Sequence, residues 1–350
     1  MAGGRGERFW PQSRLRRPKH LLPIVGDSPM LRQTIDRLEG LVPPENVWVI
    51  TNAEQVEAVR GICPDVPECQ IVAEPVGRDT APAVALAALL VQRATDNNAF
   101  AMLPADHVIH DHEAFRKDLA DAFEAAERSP VIATIGIQTH FPSTGYGYIQ
   151  IDGDSTGPAF PVRRFVEKPD RETAEEYVAD SEYFWNGGIF VWRPDTILEG
   201  ISQHCPALDS SLSAIRSALA SGEDISTVLP REYPQLEKIS IDYAVMEKAD
   251  NVVMIRSSFD WDDVGSWPAV ERHAEPDAEG NVTKGQTIAE DSKHNLVLSE
   301  GDHLVSLIGV ENLMVVHTED ATLICPKDRA QDVKKLVKKI EALDNGSNYL

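Results

Sequence analysis

The sequence predicts an α/β fold: a mixed, mostly parallel sheet flanked by helices, followed by a small domain of short β-strands that ends in a helix. Two observations lead to this prediction. Up to about residue 275, short apolar runs alternate with helical patterns; beyond it, short strand-like pieces follow one another with no helix before residue 328. Alternating strands and helices are typical of a largely parallel sheet covered on both faces. We therefore divide the chain into residues 1–275 and 276–350.

The first part contains strands and helices in alternation. Apolar runs predict buried strands at 46–52, 99–109 and 130–137. Helical patterns occupy 82–95 and 112–128, and the second of these has an apolar face and a polar face. Asp79 or Thr80 caps the first helix, with Pro82 in its first turn, where proline is tolerated.

The second part has the pattern of a small β domain. A polar segment with proline and glycine, residues 273–285, precedes it. Short strand-like pieces then recur at loose spacing up to residue 327, which is compatible with a solenoid. The final stretch, 328–343, is an amphipathic helix with lysines on one side and aliphatic residues on the other.

The overall charge argues against two classes of partner. The chain has 56 acidic and 33 basic residues, a formal net charge of -23. Nucleic acids and anionic membranes attract basic surfaces, so we expect neither as a partner. Six cations nevertheless lie close together near the start of the chain: Arg5, Arg8, Arg14, Arg16, Arg17 and Lys19. A local cationic site in an acidic protein is typical of small-anion binding.

The cysteines indicate ordinary thiols. The four cysteines form no C-x-x-C pair and have no histidine-rich partner segment, so neither a thiolate metal site nor a disulfide framework is expected. No apolar run approaches the roughly 20 residues of a membrane span, and no signal peptide is recognisable. We therefore expect a cytoplasmic protein.

The clustered cations surround a glycine-rich turn. AGGRGERFWP, residues 2–11, has three glycines followed by Arg8. Without a Cβ atom, a backbone N–H group can approach phosphate oxygens closely. Arginine binds phosphate bidentately and lysine acts as a point charge, which suits Arg8 and Lys19. Taken alone, the turn is also compatible with an ordinary surface loop, because it matches neither common phosphate-binding glycine motif.

A longer segment resolves this ambiguity. GGRGERFWPQSRLRRPKHLLPIVG, residues 3–26, closely resembles the signature of sugar-nucleotide pyrophosphorylases, nucleotidyltransferases that join a sugar 1-phosphate to a nucleoside triphosphate. The resemblance implies a Rossmann-like, GT-A-like catalytic domain and a short β-helix-like C-terminal domain. The form F-W-P-x-S-R with P-K is similar to members that use GTP and mannose 1-phosphate, so the implied products are GDP-mannose and pyrophosphate.

The resemblance also assigns the nucleotide-binding residues. Arg8 and Lys19 hold the phosphates and stabilise charge on the leaving pyrophosphate, and the other four cations are peripheral. The turn that wraps the triphosphate consists of Ala2, Gly3, Gly4 and Gly6. AEPVGRDTAPA, residues 73–83, resembles the base-recognition loop and contributes Arg78 and Thr80. Glu74 is the predicted guanine reader, because one carboxylate can accept from both N1–H and N2–H.

One departure from the family concerns the central sheet. In the family an apolar strand precedes A-G-G, whereas here Met1 stands directly before that motif. We expect unpaired strand edges and a slot in the core beside it, with reduced stability.

Two aspartates are the predicted metal ligands. Asp106 follows a predicted strand in LPADH, and Asp263 lies in FDWDDVGSW, which resembles the family's W-x-D-x-G motif. Mg²⁺ favours one or two carboxylates together with phosphate oxygens. His107 is expected to be structural.

Four further matches are assigned to the sugar phosphate. In STGYGYIQ, residues 143–150, the backbone of Gly145 and Tyr146 lines the sugar. In RFVEKPD, residues 164–170, Glu167 accepts from sugar hydroxyls and Lys168 binds the phosphate. Sugar contacts also come from Asn186 and from Asp242, for which helix capping is the alternative.

The implied mechanism is in-line attack of the sugar phosphate on the α-phosphorus of GTP, assisted by Mg²⁺. Two alternatives stay open. A related enzyme would pair glucose 1-phosphate with UTP, dTTP or ATP. A non-catalytic regulatory homologue would only bind the nucleotide sugar, although we expect such a protein to lose Lys19, Asp106, Lys168 or Asp263, and all four are present. The resemblance favours a homodimer.

Overall fold

The computed structural model describes residues 1–95, 97–153, 155 and 157–350. The strands are β1 (Val49–Asn52), β2 (Ile71–Glu74), β3 (Phe100–Met102), β4 (Ile132–Gln138), β5 (Tyr148–Ile151), β6 (Ala159–Val166), β7 (Tyr183–Trp192), β8 (Val252–Arg256), β9 (Val282–Lys284), β10 (Thr287–Glu290), β11 (Leu296–Ser299), β12 (Val305–Ile308), β13 (Leu313–His317) and β14 (Thr322–Pro326). The α-helices are α1 (Met30–Asp36), α2 (Val56–Ile62), α3 (Thr80–Ala94), α4 (His112–Arg128), α5 (Arg171–Ala179), α6 (Pro194–His204), α7 (Pro206–Ala220), α8 (Ile225–Glu232) and α9 (Val333–Glu341).

A six-stranded sheet in the order β3-β7-β4-β8-β6-β5 forms the centre of the first part of the chain. The registers place β3, β4, β5 and β8 in one direction and β6 and β7 in the other. The predicted mixed sheet is therefore confirmed, with four of its six strands running in one direction. Its neighbouring pairs are nevertheless mainly antiparallel, because β7 lies between β3 and β4, and β6 lies between β8 and β5. Among the described residues, the one parallel pair in this sheet is β4 with β8.

The two predicted helices form for the expected reasons. The side chain of Asp79, rather than that of Thr80, caps α3 by accepting from the N–H of Thr80. Asp111 caps α4, whose buried residues Phe115, Leu119, Ala122 and Ala126 recur at helical spacing against the sheet. Among the described residues, no helix combines the length and the apolar character that crossing a lipid bilayer requires.

A large cavity separates the six-stranded sheet from a two-stranded parallel sheet of β1 and β2. Its volume is about 880 Å³, and apolar residues of β1, β3, α1, α3 and α4 line it. Among the described residues, only the first two residues of the chain bridge the facing edges of the two sheets. The N–H of Ala2 donates to Ile50 O at 2.8 Å, and the amino group of Met1 donates to Leu103 O at 2.7 Å. The cavity lies between the strand edges where the sequence analysis places a slot.

The second part is a short parallel β-helix. β9, β11 and β13 pair in parallel in one sheet, which β14 closes as an antiparallel edge, and β10 pairs in parallel with β12 in the other. Two buried asparagines stack along the inside, with Asn295 Nδ2 donating to Asn281 Oδ1 at 3.0 Å. The predicted terminal helix begins as a 3₁₀ turn at Lys327–Asp332 and continues as α9.

The two parts share a core beneath the glycine-rich turn. The Phe9 and Trp267 rings meet edge to face at 4.9 Å, in one apolar cluster with Val333 and Val337 of α9. Trp10 Nε1 also donates to Tyr349 O at 2.8 Å. The glycine-rich turn is therefore packed directly against the C-terminal helix.

Candidate active site

A cleft of about 210 Å³ opens beside the glycine-rich turn. It is lined by Gly3, Gly4, Gly6, Arg8, Phe9, Lys19, His20, Asp106, His107, Asp263 and Gly265. Gly6 has a φ of 61°, and a Cβ atom there would lie 2.7 Å from Lys19 Cβ. Glycine is thus required both by the backbone conformation and by the close approach of Lys19.

Lys19 connects three segments at the floor of this cleft. Its ammonium group donates to Asp106 Oδ2 and Asp106 O at 2.9 Å and to Asp263 O at 2.7 Å. A lysine has three N–H donors, so each has a partner. Lys19 therefore holds the loops of the two predicted metal ligands together.

The electrostatics of the cleft keep Asp106 ionised and His107 neutral. Burial is the largest single influence and raises the pKa of Asp106, but the charge and hydrogen bond of Lys19, with smaller contributions from neighbouring side chains, together lower it to about 2. Burial lowers the pKa of His107 to about 4, and its Nδ1 accepts from Trp261 Nε1 at 3.1 Å. His107 is thus held as a neutral ring, in keeping with the structural role predicted for it.

Asp263 lies in a strained turn and is held by a tyrosine. Tyr146 Oη donates to Asp263 Oδ1 at 2.7 Å. The next residue, Val264, is fully buried with a φ of 43°, a left-handed conformation that is rare for a β-branched residue. Tyr146, predicted to line the sugar through its backbone, thus contacts the second predicted metal ligand through its side chain.

A partly buried ion pair braces the same turn. Asp262 accepts from Arg272 Nε at 2.6 Å and Arg272 Nη2 at 2.7 Å, lies 2.9 Å from His273 Nε2, and accepts from the N–H of Val264 at 2.8 Å. Burial opposes ionisation, but these hydrogen bonds outweigh it and hold the pKa of Asp262 well below its usual range. Asp262 is not among the residues that line the cleft, and its carboxylate thus secures the strained backbone.

The donor set of the cleft suits a divalent cation bound together with a substrate. Asp106 and Asp263 face the same cleft, and among the described residues no group of three His, Cys, Asp or Glu side chains could form a closed metal site. Two carboxylates leave most positions around a magnesium-sized ion to water and phosphate oxygens. The residues present therefore fit a cation of this kind.

The predicted base loop begins at the carboxyl end of β2. Glu74 is only 7% exposed and accepts from the hydroxyl of Tyr233. Arg78 donates to the carbonyl of Pro234, and Thr80 Oγ1 accepts from the N–H of Ile241 at 2.8 Å. Arg78 and Thr80 thus fix the loop to a distant segment of the chain.

The predicted sugar residues meet around Gly147. A Cβ atom on Gly147 would lie 2.6 Å from Glu167 Oε2 and 3.3 Å from Asn186 Cβ. Asn186 Nδ2 in turn donates to Asp242 Oδ1 at 3.1 Å. Asp242 begins a five-residue π-helix, Asp242–Met246, and Ile241 is the capping residue. Glu167, Asn186 and Asp242 are therefore brought together, and Gly147 is the glycine on which their approach depends.

The second cluster contains a carboxyl group with a raised pKa and an ion pair. Burial, followed by the charge of Glu167, raises the pKa of Asp242 to about 7. Lys168 pairs with Glu167 while its own φ is 49°. Three of the seven described non-glycine residues with a positive φ, Asp79, Lys168 and Val264, lie within or next to a predicted binding motif. The other four lie outside these motifs: Asn97, Asp291, His294 and Asn312.

The clustered cations have different surroundings. Arg8 lies at the cleft, with one long contact of 3.4 Å to Gln331 Oε1. Arg5 pairs with Glu341 at 2.9 Å and Arg14 with Asp320 at 2.6 Å, so both join the turn to the C-terminal domain. The peripheral role of Arg5 and Arg14 stays a prediction.

The structure thus brings Arg8, Lys19, Asp106 and Asp263 into one cleft and Glu167, Asn186 and Asp242 into a second cluster. The base-loop residues Glu74, Arg78 and Thr80 instead contact the segment that follows α8. Ring contacts of Tyr146 with Trp185, at 5.2 Å, join the cleft to the strand that carries Asn186. Gly145 is exposed in the loop before β5, which also carries Tyr146, and its N–H donates to Ser143 Oγ. Sequence reasoning missed Gly147, Tyr233 and Arg272. The second glycine of G-Y-G-Y was a usable signal for Gly147.

Comparison with known families gives two matches along the chain. The model described as nucleotidyl transferase matches residues 1–280. The model described as a MannoseP isomerase/GMP-like beta-helix domain matches residues 285–340.

Individual proteins match over almost the whole chain. A mannose-1-phosphate guanylyltransferase of Klebsiella pneumoniae is 40% identical over 347 residues, 97% of this chain and 72% of that protein. The alginate biosynthesis protein AlgA of Pseudomonas aeruginosa is 40% identical over 354 residues, 98% of this chain and 71% of that protein. A solved structure from Thermus thermophilus, described as a mannose-1-phosphate geranyltransferase, has a TM-score of 0.86 at 38% identity and covers 97% of this chain and 98% of that one.

Proposed function

The chain belongs to the nucleotidyltransferase family and, within it, to the mannose-1-phosphate guanylyltransferases, and from this premise we propose that it converts GTP and α-D-mannose 1-phosphate into GDP-mannose and pyrophosphate. The observation that carries the proposal is the cleft, in which a glycine turn, an arginine and two carboxylates face one another. These are the groups that a triphosphate and its counter-ion need.

The reaction requires positioning rather than a covalent enzyme intermediate. An oxygen of the sugar phosphate forms a bond to the α-phosphorus of GTP. The bond from that phosphorus to the β-phosphate bridging oxygen breaks, and pyrophosphate leaves with its electron pair. Holding the two substrates in line accounts for a large part of the rate in such reactions.

Each polar residue then has a specific task. The backbone of Gly3, Gly4 and Gly6 lies along the phosphates, and Arg8 neutralises the leaving pyrophosphate. Lys19 fixes the spacing of the two aspartate loops, since its three donors already have partners there. Mg²⁺, held by Asp106 and Asp263, would supply positive charge to the phosphate oxygens.

The second cluster binds the sugar phosphate. Lys168 is half exposed and can leave Glu167 to meet the attacking phosphate. Glu167 and Asn186 provide an acceptor and a donor for sugar hydroxyls, and Asp242 completes the group through Asn186.

The direct test is product identification. Purified protein is incubated with GTP, mannose 1-phosphate and Mg²⁺, and the nucleotide products are separated and weighed by mass spectrometry. We expect GDP-mannose, and we expect Asp263→Asn to lower its formation at least a hundredfold, about 2.7 kcal/mol in barrier height. Formation of GDP alone, without the sugar, would contradict the proposal.

The proposal extends to the oligomeric state and the subcellular location of the enzyme. We propose a cytoplasmic homodimer, which the family resemblance and the four free cysteines support. Light scattering on the purified protein should give twice the 38.6 kDa chain mass. A single-chain mass at micromolar concentration would contradict the dimer.

A further inference from the structure

A segment far along the chain runs beside the proposed base loop. The segment of residues 233–241 follows α8 and forms hydrogen bonds with the loop of residues 74–81 at four points. The pairs are Tyr233 Oη to Glu74 Oε1, Arg78 Nη2 to Pro234 O, Ile241 N to Thr80 Oγ1, and Ala81 N to Ile239 O. Neither end of the base loop is therefore free to move independently of this segment.

The contact between Tyr233 and Glu74 is the most buried of the four. Tyr233 is fully buried and Glu74 nearly so, and 159 positions separate them in sequence. Burial raises the pKa of Glu74, whereas the hydrogen bond from Tyr233 acts in the opposite direction and favours the carboxylate. Burial also raises the pKa of Tyr233 far above its usual range, so its hydroxyl remains a donor.

The hydrogen bond also fixes which way the carboxylate faces. Tyr233 occupies Oε1, and Oε2 points toward the glycine-rich turn, where a Cβ atom on Gly3 would lie 3.8 Å from it. A carboxylate has about four acceptor positions, so one tyrosine contact leaves room for two N–H groups of a base. A freely rotating or protonated side chain would lose this arrangement.

We propose that Tyr233 is a positioning residue for base selection, which holds Glu74 so that its free oxygen meets the N1–H and N2–H edge of guanine. This inference rests on the proposed function, in which Glu74 reads guanine. Adenine has no N1–H and hypoxanthine has no N2 amino group, so neither base gains fully from an oriented carboxylate. The loss of an interaction with a buried polar group is what gives such sites their discrimination.

The test is a double-mutant cycle read out as base preference. Wild type, Tyr233→Phe, Glu74→Gln and the double variant are compared for kcat/KM with GTP and with inosine triphosphate, which lacks the N2 amino group. We expect Tyr233→Phe to lower the GTP-to-ITP ratio about tenfold, mainly through KM for GTP. In the Glu74→Gln background, Tyr233→Phe should lower the ratio no further, because Tyr233 acts through Glu74.

A matched variant controls for removal of the hydroxyl from a tyrosine whose ring is buried. Tyr177→Phe makes the same change at a buried ring stacked on Tyr183 at 4.0 Å, away from the cleft, and should leave the ratio unchanged. If Tyr233→Phe fails to fold, Glu74→Asp withdraws the carboxylate from Tyr233 without emptying the site. It should lower the ratio by a similar factor.

Three results would overturn the inference. The first is an unchanged GTP-to-ITP ratio of kcat/KM in Tyr233→Phe. The second is an equal loss of kcat/KM with both nucleotides. The third is a double variant whose ratio falls by the product of the two single-variant effects. Failure of the proposed function is distinguishable, because wild type would then form no GDP-mannose. In that case equilibrium titration with GTP and ITP still measures base preference in all four proteins, with the same expected and contradicting results.

Discussion

Gly6 is a residue whose single missing Cβ atom shapes the cleft. Its φ is positive, and an added methyl would approach both Lys19 and Ser13 within 3 Å. Gly40 also has a positive φ, but nothing lies within 4 Å of its Cβ position.

We therefore expect Gly6→Ala to cost about 3 kcal/mol in unfolding free energy, from backbone strain and overpacking together. Gly40→Ala should cost about 1 kcal/mol, from the backbone alone. Urea unfolding of both variants measures the difference. Equal losses would mean that Lys19 and Ser13 can move aside.

Asp242 gives a pH prediction for the free protein. Its pKa in the folded state is about 7, above the ordinary value of 3.8, so the folded state binds more protons between these values. Its contribution to stability is therefore fully present below pH 3.8 and is lost as the pH rises through 7. Asp242→Asn should be more stable relative to wild type at pH 8 than at pH 5, as measured by urea unfolding. If the difference in unfolding free energy between Asp242→Asn and wild type does not change with pH, the pKa of Asp242 is not raised by folding.

The chemistry-bearing residues were predictable where a local motif contained them. The glycine turn, Asp106 and Asp263 were identified from short segments, and the structure places them in one cleft. Tyr233 and Arg272 were not identified, because each acts on a partner that its own neighbours in sequence do not reveal. Lys19 was predicted to bind phosphate, whereas its three donors are used by two loops distant in sequence.

At the scale of elements, the turn that carries Asp263 depends on the 3₁₀ helix that follows it. Arg272, within Trp267–His273, makes a bidentate contact with buried Asp262, and Asp262 in turn holds the N–H of strained Val264. Without this contact the strained turn would be free to relax and move Asp263.

We expect Arg272→Ala to lower the unfolding free energy by about 1 to 2 kcal/mol, a discounted value because the guanidinium is half exposed. It should also lower kcat by at least tenfold. Arg216→Ala, which breaks an exposed pair with Asp209, should change neither quantity measurably. Full activity in Arg272→Ala would show that Asp263 holds its place without the brace.

The elements themselves followed from the sequence to different degrees. α4 was predicted at its observed bounds, because its apolar spacing and its acidic cap are both local. From the long strand β7, only Asn186 was identified, as a sugar contact, and no strand was predicted there. The place of β7 between β3 and β4 depends on pairings that no local pattern encodes.

At the scale of the whole molecule, a cavity between β1 and β3 interrupts the apolar packing. Both facing edges offer backbone groups, and the walls are largely apolar. An extended apolar segment could pair with both edges and fill the space between them.

We therefore expect that adding five alternating valine and isoleucine residues before Met1 raises the melting temperature by about 5 °C. A five-residue serine–glycine extension should leave it within about 1 °C. Differential scanning calorimetry distinguishes them, and equal melting temperatures would mean that the cavity does not accept a strand.

The central claim is that the molecule as a whole joins GTP to mannose 1-phosphate. The most direct measurement is pyrophosphate release with Mg²⁺ across GTP, ATP, UTP and dTTP, each combined with mannose 1-phosphate and glucose 1-phosphate. The account predicts turnover that is at least a hundredfold faster with GTP plus mannose 1-phosphate than with any other pair, about 2.7 kcal/mol in selectivity. Equal or faster turnover with another pair would contradict it.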